Sequence, residues 1–265
     1  MNPPLLNGEA ASADDLRALA LSNYGHYTVM PVRGGRVQGL ALHLERLQAG
    51  TQALFGTELP RERILGDLRG ALTVLQEDAS VRVTVFARDF DYRNPVRPLT
   101  PDLLVTTSPR AAAASAVPLR LKSYRFVRPL PQVKHVGTFP LHHYRRQALL
   151  AGFDDALFVT EDDRVVEGST WNVGFWDGVG VTWPEGPALR GTGEQLLQLG
   201  LDAIGIDQQV RPVTLAEAPC FRAAFASNAN GLSMIGAIDG LALAGDAALP
   251  RLLERALAGL PWEAP

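Results

Sequence analysis

The chain contains two lysines, Lys122 and Lys134, and the other 23 of its 25 basic side chains are arginines. Arginine cannot replace lysine where an amine must lose its proton and attack, so each surviving lysine is a candidate nucleophile. Lys134 sits in Leu130-Pro131-Gln132-Val133-Lys134-His135, just ahead of a predicted helix. Glu167 ends a predicted strand in Val165-Val166-Glu167-Gly168-Ser169-Thr170-Trp171-Asn172, and Arg46 lies in His43-Leu44-Glu45-Arg46-Leu47. Two turns, Leu189-Arg190-Gly191-Thr192-Gly193 and Ser227-Asn228-Ala229-Asn230-Gly231, fall at a helix start and after a strand. Singly, each feature has a plain structural explanation: a surface cation, a solvated strand end, a connection. As a set they supply what pyridoxal phosphate requires. An amine forms an imine, a carboxylate pairs with the protonated pyridine nitrogen, and an arginine with helix-start N–H groups holds the phosphate.

Other chemistries find no support. There is no G-x-S-x-G elbow, Walker loop, G-x-G-x-x-G or H-E-x-x-H. The histidines at 26, 43, 135, 142 and 143 lack metal-ligand spacing, and the adjacent His142 and His143 point to different faces of a helix. No metal is expected. One cysteine, Cys220, cannot form an internal disulfide and suits a reducing, cytoplasmic setting. With 28 acids against 25 bases, the net charge of -3 argues against a nucleic-acid binder or a polybasic membrane-surface protein. No apolar run approaches the ~20 residues of a spanning helix, and Met1 to Ala11 does not read as a signal peptide.

The elements that must position these residues alternate between helix and strand without a repeat, a mixed α and β pattern. Ser12 to Leu21 reads as a short helix with Ser12 as N-cap and Asp14 and Asp15 in its first turn. His26 to Val32, the turn 33–36, and Val37 to Leu42 read as a hairpin. Leu44, Leu47 and Leu54 mark a helix, and Ile64, Leu68, Leu72 and Leu75 mark the face of another opened by Pro60. Strands are expected at Val81 to Val85 and Leu103 to Thr107, making a first half of antiparallel strands with helices on one side. The linker-like Ser108 to Pro118 places a domain boundary near residue 115. The second half predicts strands at 119–124, 156–160, 164–167, 172–176, 179–182, 209–213, 223–226 and 232–238. Helices are expected at 140–151, 194–204 and 246–260, and Asp177-Gly178 marks a tight hairpin turn.

The order of these motifs resembles the class IV aminotransferases, the fold-type IV pyridoxal phosphate enzymes, from about Gly25 to Gly240. That family includes branched-chain and D-amino-acid aminotransferases and 4-amino-4-deoxychorismate lyase. Gly25-His26-Tyr27 and His43-x-x-Arg46-Leu47 are similar to its G-x-F/Y and H-x-x-R-L. Val133-Lys134-His135 resembles the lyase's lysine segment, and Gly152-Phe153-Asp154-Asp155-Ala156-Leu157 resembles G-x-D-E-A-L. Glu167-Gly168-Ser169-x-x-Asn172 resembles E-G-S-x-x-N. Leu189-x-Gly191-Thr192 is similar to L-P-G-I-T, and Ser227-Asn228-Ala229 to the second phosphate turn.

The resemblance implies an α/β (α+β type) fold of two domains, a smaller one over 1–115 and a larger, barrel-like one over 116–265. It further implies a cofactor cleft between them and a homodimer. Lys134 would form the imine and shuttle a proton, and Glu167 would hold the pyridine nitrogen protonated. Arg46 and the N–H groups of Thr192, Gly193, Asn228 and Ala229 would hold the phosphate. Burial and the cofactor's charge would lower the pKa of the Lys134 amine. Departures bear on substrate: Phe139 stands where branched-chain enzymes have tyrosine, and Val29 where the lyase has threonine. Tyr27-x-Val29, and Arg88 followed by Arg93-Asn94, look like the D-amino-acid enzyme, which makes Tyr27 and Arg93 candidates for the substrate carboxylate. Arg190 and Gly193 replace the family's proline and threonine in the phosphate turn. The expected activity is amino transfer between an amino acid and a 2-keto acid. The alternatives are pyruvate elimination from aminodeoxychorismate and a cofactor-binding protein without turnover.

Overall fold

The computed structural model describes residues 3–73, 75, 77–110 and 117–265. The expected boundary at 115 lies outside the described residues, as does most of the alanine-rich stretch before it. The chain divides into two compact units. One comprises Met1–Ala111, Val133–Gly137 and Pro261–Pro265; the other comprises Ala112–Gln132 and Thr138–Leu260.

In the first unit, β1 (Leu5–Leu6) and β2 (Glu9–Ala10) precede α1 (Ala13–Ser22), β3 (Gly25–Arg33), β4 (Arg36–Gln38), α2 (Leu40–Phe55), α3 (Arg61–Thr73), β5 (Ala79–Phe86) and β6 (Asp102–Pro109). A short strand at Trp262–Glu263 pairs with β4, and the sheet runs Trp262–Glu263, β4, β3, β5, β6, β1, β2, antiparallel at every pairing. Helix α1 begins as its sequence implies: Ser12 Oγ accepts from the Asp15 amide, while the Asp15 carboxylate accepts from the Ser12 amide, a reciprocal capping box. The alternating apolar residues of β5 face the helices. Val81, Val83 and Val85 share one core with Met30, Val32, Leu44, Leu47, Ile64 and Leu68. Gly34 and Gly35, both at positive φ, make the hairpin turn.

The second arm of that hairpin is shorter than its sequence pattern suggests. Gly39 adopts φ 67° and ends β4 after three residues, and α2 begins at Leu40. Strand β4 therefore pairs only with the far end of β3, through Val32 and Arg33. The near end of that edge is filled by residues 134–136. The Tyr27 amide donates to the Lys134 carbonyl at 2.9 Å, and the Val136 amide donates to the Gly25 carbonyl at 2.9 Å.

The second unit is built from β7 (Leu119–Arg125), α4 (Phe139–Leu150), β8 (Asp155–Val159), β9 (Val165–Gly168), β10 (Asn172–Trp176), β11 (Val181–Pro184), α5 (Thr192–Ala203), β12 (Gln208–Arg211), β13 (Ala223–Asn228), β14 (Gly231–Ile238) and α6 (Leu249–Ala258). Its sheet runs β12-β11-β10-β13-β14-β7-β8-β9, with a short strand at Leu241–Ala242 beside β14. The pairs β7–β8, β7–β14 and β11–β12 are parallel. The Val165 amide, at β9, donates to the Val213 carbonyl, just past β12, at 2.7 Å. The two ends of the sheet thus meet, curling it into a half-barrel.

Two local expectations change. The Asp177-Gly178 turn spans 177–180 rather than two residues, because the Asp177 carboxylate accepts from the amides of both Val179 and Gly180. The final helix starts at Leu249, not Asp246, whose carboxylate instead accepts from Trp176 Nε1 at 3.1 Å and from the Ala248 amide at 2.9 Å.

Candidate functional site

In the first unit, the strand-like pairing of residues 134–136 fixes the backbone of Lys134 against β3. Its side chain then lies over the Tyr27 ring, with Nζ 5.1 Å from the ring centroid. A second cation lies on the same ring: the Arg82 guanidinium carbon is 3.7 Å from the centroid, and Arg82 Nε donates to Thr84 Oγ1 at 3.1 Å. Tyr27 is itself buried, so both contacts are shielded from water, where cation–π attraction is strongest. Arg82 comes from the polar side of β5, which reads in sequence as an ordinary solvated face.

Behind this group lie two buried histidines. His43, one turn before Arg46 on α2, has Nδ1 2.6 Å from Thr28 Oγ1. Burial, reinforced by the charges of Arg46 and Lys134, pulls its pKa down to about 3, which fixes it as neutral imidazole. Arg46 and Lys134 are thus close enough to one imidazole to act on it electrostatically. His26 has Nε2 3.0 Å from Thr51 Oγ1, whose only proton goes to the Leu47 carbonyl. The His26 proton therefore resides on Nε2, and burial lowers its pKa to about 4. Gly50 makes room for this ring: a Cβ there would stand 2.6 Å from His26 Nδ1. Lys134 thus shares the Tyr27 ring with Arg82 and the neighbourhood of His43 with Arg46, a grouping of cations suited to anionic ligands.

The second unit gathers the other expected residues. Glu167, buried at the end of β9, accepts from Arg128 Nε on Oε1 at 3.0 Å and from the Leu189 amide on Oε2 at 3.3 Å. The turn after it is compact because the Trp171 indole lies on Gly168, where a Cβ would collide, and Trp171 Nε1 donates to Asp155 at 3.1 Å. Asn172 then staples β10 to the segment before α5. Its Nδ2 donates to the Leu189 carbonyl at 2.6 Å, and its Oδ1 accepts from the Gly191 amide at 3.1 Å. Gly193, in the first turn of α5, packs directly on the Asn228 backbone. That contact leaves no space for a Cβ and accounts for glycine where the family pattern has threonine. Asn228 Nδ2 donates to the Thr170 carbonyl at 3.4 Å, and Ala229 follows in the turn into β14.

A phosphate fits this arrangement. The first N–H groups of α5 lack intrahelical acceptors by construction. Thr192 Oγ1 in that turn and Ser227 Oγ, next to the Asn228 on which Gly193 packs, are buried without a hydrogen-bond partner, as is Ser169 Oγ after Glu167. A buried hydroxyl in that condition is uncommon and calls for an acceptor. Glu194, also in this turn, is buried, and burial raises its pKa. Arg190 Nη1, 2.9 Å from Glu194 Oε1, opposes that shift and offsets the carboxylate's charge.

Arg93 lies elsewhere in the first unit, on the exposed connection between β5 and β6, with its guanidinium 4.7 Å from the Tyr92 ring centroid. Lys122 pairs with Asp239 at 2.8 Å in the second unit. Two arginines outside the expected set contact these residues: Arg82 on Tyr27 and Arg128 on Glu167. Neither carries a motif, and the one available signal is Arg82 interrupting the valines of β5.

The family model for class IV amino-transferases matches residues 25–236, most of the chain. The chain belongs to the class IV aminotransferase family. Members use pyridoxal 5'-phosphate, and this one is a pyridoxal phosphate-dependent enzyme of that family. A hypothetical aminotransferase from Mycobacterium tuberculosis superposes with a TM-score of 0.80 at 20% identity, covering 97% of this chain and 100% of the other. A branched-chain aminotransferase from Thermoproteus uzoniensis, solved with norvaline, gives 0.83 at 18% identity over 98% of both chains. A 4-amino-4-deoxychorismate lyase from Pseudomonas aeruginosa gives 0.79 at 23% identity over 96% and 97%. At these identities the similarity is one of fold. A search of curated proteins finds no match. No helix among the described residues is long and apolar enough to cross a membrane, and none of their side chains cluster as a metal site.

Proposed function

We propose that this class IV enzyme is a transaminase that moves an amino group between an amino acid and a 2-keto acid. The observation supporting this reading is the pair of cations on Tyr27: an amine, Lys134 Nζ, and a guanidinium, Arg82, on one buried ring. An amino acid brings an α-amino group and an α-carboxylate separated by one carbon. A nucleophilic amine beside a carboxylate-binding cation suits that substrate, and the guanidinium fork matches the carboxylate's two oxygens.

When bound, the cofactor supplies an aldehyde and a ring that withdraws electrons. Lys134 would engage that aldehyde and, as a free amine, would move a proton between the substrate Cα and the former aldehyde carbon. Glu167 would accept a hydrogen bond from the ring nitrogen. Arg46 and the amides of Thr192, Gly193, Asn228 and Ala229 would hold the phosphate, with the unpartnered hydroxyls of Thr192 and Ser227 as further donors. Tyr27 and Arg82 orient the carboxylate, and Arg93 is the competing candidate for it. His43, fixed as neutral imidazole, adds no charge beside the amine. The enzyme acts as a homodimer, in the cytoplasm, where an exposed free thiol such as Cys220 stays reduced.

A panel of L- and D-amino acids, followed by the cofactor's absorbance, tests the reaction. At least one should convert the aldehyde form to the amine form, with a 2-keto acid restoring it. Pyruvate release from aminodeoxychorismate without an amino acceptor would identify the lyase instead, and no spectral change with any amino acid would exclude the transaminase. Borohydride treatment should label Lys134 covalently, and Lys134→Ala should abolish the label. Light scattering that gave a monomer would reject the dimer.

A further inference from the structure

Of the 23 arginines, one is buried among the described residues: Arg128, 5% exposed. It precedes Lys134 by six residues in a passage broken by Pro129 and Pro131. Its guanidinium makes two directed contacts. Nε donates to Glu167 Oε1 at 3.0 Å, and Nη2 donates to the Pro131 carbonyl at 2.9 Å. The other Glu167 oxygen accepts from the Leu189 amide at 3.3 Å.

An ionised carboxylate offers about four lone-pair sites. Arg128 and Leu189 take one site on each oxygen, which fixes the plane of the group. An arginine buried only to fill space would be a poor choice, since an apolar pair of similar volume serves stability as well. A buried cation beside a carboxylate has a specific effect: it favours the charged form of that carboxylate over the protonated one.

We infer that Arg128 is a positioning residue for the cofactor, holding Glu167 in the orientation and ionised state that keep the proton on the pyridine nitrogen. The inference rests on the reading of Glu167 as the ring-nitrogen partner. Through the Pro131 carbonyl, the same guanidinium also restrains the chain three residues before Lys134.

The test is 15N NMR of the enzyme loaded with pyridoxal phosphate labelled at the ring nitrogen, because protonation moves that resonance far upfield. The wild type should show the protonated signal, and Glu167→Gln should lose it. Arg128→Gln and Arg128→Met should lose it as well at neutral pH, and guanidinium ion added to Arg128→Met should restore it. Arg128→Lys keeps a charge without the two-point grip and guards against a misfolded truncation. It should move the pH midpoint of the cofactor's absorbance by about one unit or more. If the Arg128 variants keep the wild-type signal and midpoint while Glu167→Gln loses the signal, the role of Arg128 is overturned and that of Glu167 stands. If Glu167→Gln keeps the protonated signal, the reading of Glu167 fails and the inference falls with it.

Discussion

The Tyr27 amide donates to the Lys134 carbonyl at 2.9 Å, while the Tyr27 ring lies under the Lys134 amine at 5.1 Å. One residue thus holds the lysine by its backbone and receives its side chain. The arrangement exists because Gly39 ends β4 early and exposes the β3 edge that residues 134–136 occupy. A nucleophile on a paired strand edge has fewer backbone conformations than one on a free loop, so less is lost when it is aligned for reaction.

The two guanidinium candidates for the carboxylate are separable by kinetics. Arg82→Gln should raise KM for the amino acid about 30- to 150-fold, the worth of a charge-assisted hydrogen bond of about 2–3 kcal/mol. Arg93→Gln, on an exposed turn, should change it about twofold or less. The reverse pattern would move carboxylate recognition to Arg93.

The hydroxyls of Thr192 and Ser227 are buried without partners, so their removal should cost the cofactor-free protein little. Thr192→Val and Ser227→Ala should leave stability within about 0.5 kcal/mol, because no protein hydrogen bond is lost. Each should weaken pyridoxal phosphate binding about tenfold, equivalent to about 1.4 kcal/mol. Fluorescence titration that gave wild-type affinity for both would remove the phosphate from the start of α5.

Gly193→Ala should be damaging, even though alanine is the better helix former. The new Cβ would stand 2.8 Å from Asn228 Cα and closer still to the Asn228 carbonyl, and backbone cannot swing aside. A loss of about 1–3 kcal/mol in stability is expected from such overpacking, with weaker cofactor binding, measured by denaturation with and without pyridoxal phosphate. Unchanged stability would mean that α5 and β13 can separate freely.

His26 and His43 should make the first unit acid-sensitive. Their folded pKa values, about 4 and about 3, lie below the ordinary 6.5, so the unfolded chain takes up protons first as pH falls. Stability is full above pH ~6.5 and declines below it, by about 2 kcal/mol per histidine between pH 6.5 and 5. Denaturation midpoints at pH 7 and pH 5 measure this, and His26→Gln/His43→Gln should flatten the difference. An equal drop in the double variant would assign the acid response to other groups.

Local chemistry made much of this readable in sequence. The Ser12 cap, the Gly34-Gly35 turn and the valine alternation of β5 are decided by neighbours in the chain, and they appear where expected. The turns that contain Glu167, Thr192 and Asn228 were legible because glycine and asparagine there answer local backbone demands. Arg82 and Arg128 were not, since 23 arginines offer no contrast and what distinguishes these two is burial and a distant partner. The three-residue length of β4 escaped for a related reason. Val37 to Leu42 reads as strand from its apolar residues alone, whereas Gly39 at positive φ ends the strand and α2 starts at Leu40.

The pairing of Trp262 with Gln38 and Glu263 with Val37 has a consequence for biosynthesis. The edge of the first sheet waits for residues that leave the ribosome only after every other strand of that sheet has emerged. That unit can collapse early but cannot finish early, and a nascent chain stalled before position 261 would display an open strand to its neighbours. A polar substitution that weakened this late seam should therefore slow maturation more than it disturbs the finished enzyme.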